Sequence, residues 1–217
     1  MKKLFDFSLY LVTDRALSGQ KPIEEVVSSA VKGGVTAVQL REKTSSTSEF
    51  IELAFKLKRI LVPLNIPLII NDRLDVALAA NADGIHIGQN DMSYNNVRRL
   101  MGPDAIIGLS VETIQQAIEA ENFDADYLGV SPVFQTPTKT DMVSQWGIKG
   151  LKELRKRSSH KLIAIGGINQ SNADAVLNAG ADGLAVVSAI CSSADPEEAS
   201  KQLSAIISKN RVKVKSS

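Results

Sequence analysis

Eight short apolar runs separated by longer amphipathic segments, a turn motif recurring ahead of every second run, and no composition break between residues 8 and 208 predict an α/β fold, a single (β/α)8 TIM barrel. Parallel strands need a long crossover between them, and an amphipathic helix is the element that supplies it while covering the sheet.

Taken in order, the chain opens with Leu9 to Thr13, expected as the first strand. The preceding residues place two lysines ahead of an apolar stretch, as an export signal would. Asp6 interrupts that stretch, and no small-residue cleavage site follows before Asp14 and Arg15. Ile23, Val26, Val27, Ala30 and Val31 then recur at spacings of three and four, the face of a first helix. Ala37 to Leu40 is the second strand. The helix after it carries Ile51, Ala54, Phe55, Leu57 and Leu61, and Ser48 ahead of Glu49 reads as its start signal. Further strands are expected at Pro67 to Ile70, Gly84 to Ile87, Ala105 to Leu109, Tyr127 to Val130, Leu162 to Ile165 and Leu184 to Val187. Between the last two, Ser171 to Ala179 forms a helix ended by Gly180, and Asp195 with Pro196 starts the final helix as N-cap and first-turn proline.

The recurring turn reads "GGVTAV" at 33–38, "NADGIH" at 81–86, "DADYLG" at 124–129 and "GADGLA" at 180–185, ahead of the second, fourth, sixth and eighth strands. A repeat on alternate units suits a barrel whose interior layers are filled from alternate strands. A doubly wound open sheet is the competing topology, but the first strand lacks the G-x-G-x-x-G turn of its dinucleotide-binding form. The barrel is expected to occupy residues 1–210, with 211–217 a frayed basic tail.

Composition narrows the function classes. The net charge is +1, and Arg211, Lys213 and Lys215 belong to the tail, so the body is near neutral and offers no basic face for nucleic acid. Cys191 is the only cysteine, which excludes an internal disulfide and fits a reducing cytoplasm; a small buried filler is its expected role. No apolar run approaches the roughly 18 to 20 residues that span a membrane.

In such a barrel, function sits where strands end and the loops toward the helices begin. Those points carry Gln39 to Lys43, Asn71 to Arg73, His86 to Asp91, Ser110, a threonine and lysine loop after the sixth strand, Gly166 to Ile168, and Ser188. Singly, each has an ordinary explanation: a surface ion pair, a helix cap, a satisfied core histidine. Jointly they pair chemistry with position. Arg41, Lys43 and Lys139 suit phosphate oxygens. Asp72 and Asp91 offer hard carboxylate oxygens that suit magnesium. Gly166 and Gly167, with the Ser188 hydroxyl, occupy the loops after strands seven and eight, where barrels commonly bind a phosphate.

The ordered motifs "LYLVTDR", "VQLREK", "LIINDRLDVA", "GIHIGQND", "SPVFQTPTK", "AIGGI" and "VVSAI" closely resemble thiamine phosphate synthases over residues 8–208. The resemblance implies condensation of 4-amino-5-hydroxymethyl-2-methylpyrimidine diphosphate with 4-methyl-5-(2-phosphoethyl)thiazole, releasing diphosphate by a dissociative substitution. It implies that Gln39, Arg41, Lys43, Asn71 and Lys139 contact the pyrimidine diphosphate, with Leu40 and Glu42 of the same stretch in the binding set and Ser110 near the departing group. Asp72 and Asp91 become magnesium ligands. Thr136, Pro137 and Thr138, together with Gly167, Val187 and Ser188, become the thiazole phosphate site. Arg41, Lys43, Ser110 and Lys139 are the residues expected to carry catalysis. "GLSVET" departs from many relatives near Glu112, which is given no role. A thiazole tautomerase, another phosphosugar-handling barrel enzyme and a non-catalytic thiamine phosphate sensor are the alternatives; the full diphosphate set and both aspartates argue for the synthase. Expected partners are the two small-molecule substrates, with neither nucleic acid nor membrane, and the oligomeric state, a homo-oligomer included, is left open.

Overall fold

The computed structural model describes residues 5–136 and 145–215. Eight parallel strands close in sequence order, with β8 paired to β1. They are β1 (Leu9–Val12), β2 (Ala37–Leu40), β3 (Leu68–Asn71), β4 (Gly84–Ile87), β5 (Ile106–Val111), β6 (Tyr127–Val130), β7 (Leu162–Ile165) and β8 (Gly183–Val186). The crossover helices are α1 (Ile23–Lys32), α2 (Thr47–Leu61), α3 (Leu74–Ala79), α4 (Tyr94–Met101), α5 (Ile114–Ala120), α6 (Gly147–Arg155), α7 (Ala173–Asn178) and the short α8 (Ser188–Cys191), and α9 (Pro196–Lys215) ends the described chain.

The strands match the sequence expectation closely, with two shifts that matter. β3 extends to Asn71 and β5 to Val111, because ladder pairing continues through Asn71 with His86 and through Ser110 with Gly129. Asn71 and Ser110 therefore stand on the barrel wall and not on loops. α2 starts from Ser46 and not from Ser48: the Ser46 hydroxyl accepts from the Glu49 amide at 3.3 Å, and the Glu49 carboxylate accepts from the Ser46 amide at 2.8 Å. This reciprocal pair needs a three-residue spacing, which Ser48 does not have. Asp195 caps α9 as expected, accepting from the Glu198 amide at 3.0 Å. The helix runs on through Lys215, so the frayed tail expected from residue 211 is helical in its described part; Arg211 reaches back to Asp6 at 3.3 Å.

Strand alternation divides the apolar residues between two layers. Inside the barrel, Phe7, Tyr10, Val12, Ala37, Ile69, Ile106, Tyr127, Ile163 and Ala185 form one cluster. Their neighbours of opposite parity, Leu9, Leu11, Val38, Leu40, Leu68 and Ile70 among them, pack outward against the helices. α9 lies across α1 and α7 and covers the seam where β8 meets β1. Cys191 is buried, its thiol facing the Val12 carbonyl at 3.7 Å. Among the described residues, no helix is long and apolar enough to cross a membrane.

The recurring turn has a physical cause. Asp83, Asp126 and Asp182 each turn a carboxylate back to accept an amide at the start of the preceding odd-numbered strand, from Leu68 at 2.9 Å, Ile107 at 2.8 Å and Leu162 at 2.8 Å. Thr36 does the same for Leu9 with its hydroxyl, at 3.1 Å. Each side chain closes the bottom of a strand pair and satisfies an amide near the core. Replacing Asp83 by Ala should therefore lower unfolding free energy by about 1–3 kcal/mol, and Asn, which keeps an acceptor oxygen, should cost less. Denaturant melts of the two variants measure this; equal midpoints for Asp83→Ala and the parent protein would remove the proposed cause of the repeat.

Candidate active site

The upper ends of the strands surround a cavity of about 530 Å³. Its wall includes Gln39, Arg41 and Lys43 at the end of β2, Asn71 ending β3 with Asp72 after it, His86 on β4 with Gly88 to Asp91 after it, Ser110 on β5, Thr136 after β6, Gly166 to Ile168 after β7, and Val187 with Ser188 after β8. One strand end apiece supplies each group, so residues far apart in sequence share one opening.

The cationic side is built on crossed ion pairs. Arg41 reaches Asp14 at 3.1 Å, while Arg15 reaches Glu42 at 3.1 Å. The Thr13 hydroxyl also accepts from the Arg41 amide at 3.0 Å, so the end of β1 holds the end of β2 in place. Lys43 donates to Asp72 at 2.7 Å. Asp72 has a left-handed backbone, φ 60°, a region where Asp is tolerated better than most residues. Its amide donates to the His86 carbonyl at 2.9 Å and the Arg73 amide to the Asn71 carbonyl at 2.7 Å, and this tight turn aims the carboxylate at Lys43.

Asp72 and Asp91 interact directly and respond in opposite directions. Burial opposes the Asp72 charge, but the hydrogen bond and charge of Lys43, with a hydrogen bond from Asp91, together hold the carboxyl below the usual range. Burial and the neighbouring Asp72 charge push the Asp91 carboxyl above its usual range, although the Gly88 amide donates to it at 2.7 Å. Two hard carboxylates against each other, one of them destabilised as an anion, are a donor set that a divalent cation would relieve. Among the described residues, no group of three or more His, Cys, Asp or Glu side chains gathers to hold a metal ion.

On the opposite side, the chain after β6 continues to pair beside β7: the Val133 amide donates to the Ile165 carbonyl at 2.9 Å and Phe134 to Gly166 at 3.1 Å. This explains the two glycines. Gly166 and Gly167 have φ of 103° and 65°, and a side chain on either would press into Pro132 or Phe134. Close packing and the left-handed backbone both require glycine here.

Of the residues singled out from sequence, Gln39, Arg41, Lys43, Asn71, Asp72, Asp91, Ser110, Thr136, Gly167, Val187 and Ser188 line the cavity. Leu40 does not: its parity turns it outward, fully buried between the sheet and the helices. The Glu42 side chain is also turned from the cavity, buried beside Arg15 and Ser45 with Oε1 unpartnered. Pro137, Thr138 and Lys139 lie outside the described residues.

The floor was not legible from sequence. Beneath the polar rim, Tyr10 and Tyr127 meet hydroxyl to hydroxyl at 2.8 Å, Gln39 Nε2 donates to Tyr10 at 3.0 Å, and His86 joins Tyr127 at 3.0 Å to Ser110 at 2.8 Å. His86 is a satisfied histidine, as one ordinary explanation allowed, and it also lines the cavity. The available signal was parity: Tyr10 and Tyr127 occupy inward positions, where each hydroxyl needs a partner inside the barrel.

Comparison with known proteins agrees with this geometry. The profile of the family described as thiamine monophosphate synthase matches residues 9–190. A thiamine-phosphate synthase of Albidiferax ferrireducens is 52% identical over 199 residues, covering 92% of this chain and 91% of that protein. One of Vibrio parahaemolyticus is 49% identical over 197 residues, covering 91% and 96%. The solved structure of a thiamine phosphate pyrophosphorylase from Pyrococcus furiosus superposes with a TM-score of 0.86 at 38% identity, covering 94% of this chain and 96% of that one. The match spans the strands and the cavity they surround, and the chain belongs to the thiamine monophosphate synthase family.

Proposed function

We propose that this protein joins 4-amino-5-hydroxymethyl-2-methylpyrimidine diphosphate to 4-methyl-5-(2-phosphoethyl)thiazole, giving thiamine phosphate and diphosphate. The observation that carries this reading is a single cavity with two sides suited to anions: Arg41 and Lys43 beside the Asp72 and Asp91 pair, and Thr136, Gly167 and Ser188 across from them. A volume of about 530 Å³ is in the range that accommodates small organic substrates.

The chemistry asks little of a nucleophile. The pyrimidine amino group stabilises positive charge on the exocyclic methylene, the diphosphate leaves with the bonding electron pair, and the thiazole nitrogen then attacks the methylene. Arg41, Lys43 and Lys139 would stabilise the charge that develops on the departing group, each contact near 4 Å being worth about 4 kcal/mol before desolvation at an effective dielectric of ~20. Gln39 and Asn71 would orient the pyrimidine diphosphate, and Thr136, Thr138, Gly167, Val187 and Ser188 would hold the thiazole phosphate in line for attack. Bound magnesium would neutralise diphosphate charge, with Asp72 and Asp91 as its protein ligands. Lys43 and Arg41 are held by Asp72 and Asp14 in the described conformation, so both cations are already at the cavity wall when substrate arrives.

Incubation of the protein with both substrates and magnesium should produce thiamine phosphate, read by chromatography; no product above a boiled control would sink the assignment. Lys139→Ala should lower turnover more than affinity for thiazole phosphate, and a variant with intact turnover but weakened thiazole binding would overturn that role. Asp91→Ala should raise the magnesium concentration needed for half-maximal rate and weaken magnesium binding by calorimetry. An unchanged titration would remove Asp91 as a ligand.

A further inference from the structure

We propose that His86 is a positioning residue: a one-directional chain of hydrogen bonds through the barrel floor holds its neutral ring with the proton on Nε2, leaving the Ser110 hydroxyl hydrogen free to be donated into the cavity. The chain crosses five strands, from Gln39 on β2 through Tyr10 on β1, Tyr127 on β6 and His86 on β4 to Ser110 on β5. Where it concerns turnover, this inference rests on the synthase assignment above.

Direction follows from what each atom can do. The Gln39 amide nitrogen has no acceptor capacity, so at 3.0 Å it donates to the Tyr10 oxygen. Tyr10 is 1% exposed, and its single hydrogen must find an acceptor or be stranded in the core. Tyr127, at 2.8 Å, is that acceptor. Tyr127 is equally buried, and its own hydrogen then goes to His86 Nδ1 at 3.0 Å. Burial pushes both phenols well above their usual pKa, which keeps them neutral and able to donate. With Nδ1 accepting, the neutral ring carries its hydrogen on Nε2, and Nε2 donates to the Ser110 oxygen at 2.8 Å. The hydroxyl, already accepting, directs its hydrogen elsewhere, and Ser110 stands on the cavity wall.

The barrel is built to admit this chain. The His86 and Tyr127 rings stack with centroids 5.5 Å apart and planes 20° from parallel. Gly108 on β5, between the two rings' strands, and Gly129 on β6 leave them room: a Cβ at Gly108 would collide with the Tyr127 ring, and one at Gly129 would come within 2.8 Å of His86 Cε1. A floor required only for packing could be filled by aliphatic side chains. This one spends two glycines and four polar side chains to determine the proton on a fifth. The receiving group would be a hydrogen-bond acceptor of the bound substrate, and a departing diphosphate oxygen has that character.

The test uses the full-length protein. His86 and His160 are the only two histidines, so His160→Gln assigns their signals in a two-bond ¹H–¹⁵N spectrum of the imidazoles. A bare Nδ1 and protonated Nε2 at His86 are expected. A proton on Nδ1, whether alone, with the Gln39 amide turned over and the chain reversed, or together with one on Nε2, would overturn the proposal. In a second arm, Tyr127→Phe should lower kcat about tenfold, with both KM values within about twofold, because one orienting hydrogen bond is lost while the ring stays. In a Ser110→Ala background the same substitution should cost nothing further, since it acts through Ser110; an equal loss in both backgrounds would show a merely structural effect and defeat the inference. If the parent protein makes no thiamine phosphate, the synthase assignment fails, while the imidazole spectrum still decides the direction of the chain.

Discussion

Closure of a parallel sheet is the constraint on which the rest of this structure depends. Once β8 pairs with β1 there is no edge, and alternation sends every second side chain into one enclosed space. Low in the barrel that space accepts Phe7, Ala37, Ile106 and Ile163; toward the top the same parity carries Gln39, Asn71, His86 and Ser110, which line the cavity. Function is thus the continuation of the core by polar residues. The site inherits the rigidity of the ladder, since Gln39, Asn71, His86 and Ser110 all belong to ladder pairs.

The two ends of the barrel divide the work. At the bottom, Thr36, Asp83, Asp126 and Asp182 spend their polar atoms on backbone amides, and their recurrence reflects a stability requirement repeated at alternate strands. At the top, the strand ends carry a mixture of amide, cationic, acidic and hydroxyl side chains, and several are held in tension with a neighbour. Asp91 keeps a raised pKa beside Asp72, and Asp72 adopts a left-handed backbone. Such local costs are characteristic of positions retained for chemistry, and the ladder beneath supports them.

Charge placement explains how a nearly neutral protein can present cations at the mouth of its cavity. The cations at the rim are not exposed singly; Arg41 is paired with Asp14 and Lys43 with Asp72. Pairing limits repulsion among the cations and keeps long side chains oriented. It also means that an anion entering the cavity would compete with protein carboxylates for the same cations, so its binding would depend on the difference between two partners and not on the total positive charge.

Amino-acid order alone determined the strand and helix alternation, the closure of eight units into one barrel, and the collection of polar residues at the strand ends, because periodicity and turn chemistry are local properties. It also identified most of the cavity wall. It did not separate Leu40 and Glu42 from their neighbours: a motif names consecutive residues, whereas alternation sends Leu40 to the opposite face and the Arg15 contact draws Glu42 aside. Ser48 was taken for Ser46 because which hydroxyl caps a helix depends on backbone angles at its first turn. The buried chain from Gln39 to Ser110 was out of reach altogether. Its members come from five strands, and only closure of the barrel brings Tyr10 and Tyr127, 117 positions apart, within hydrogen-bonding distance.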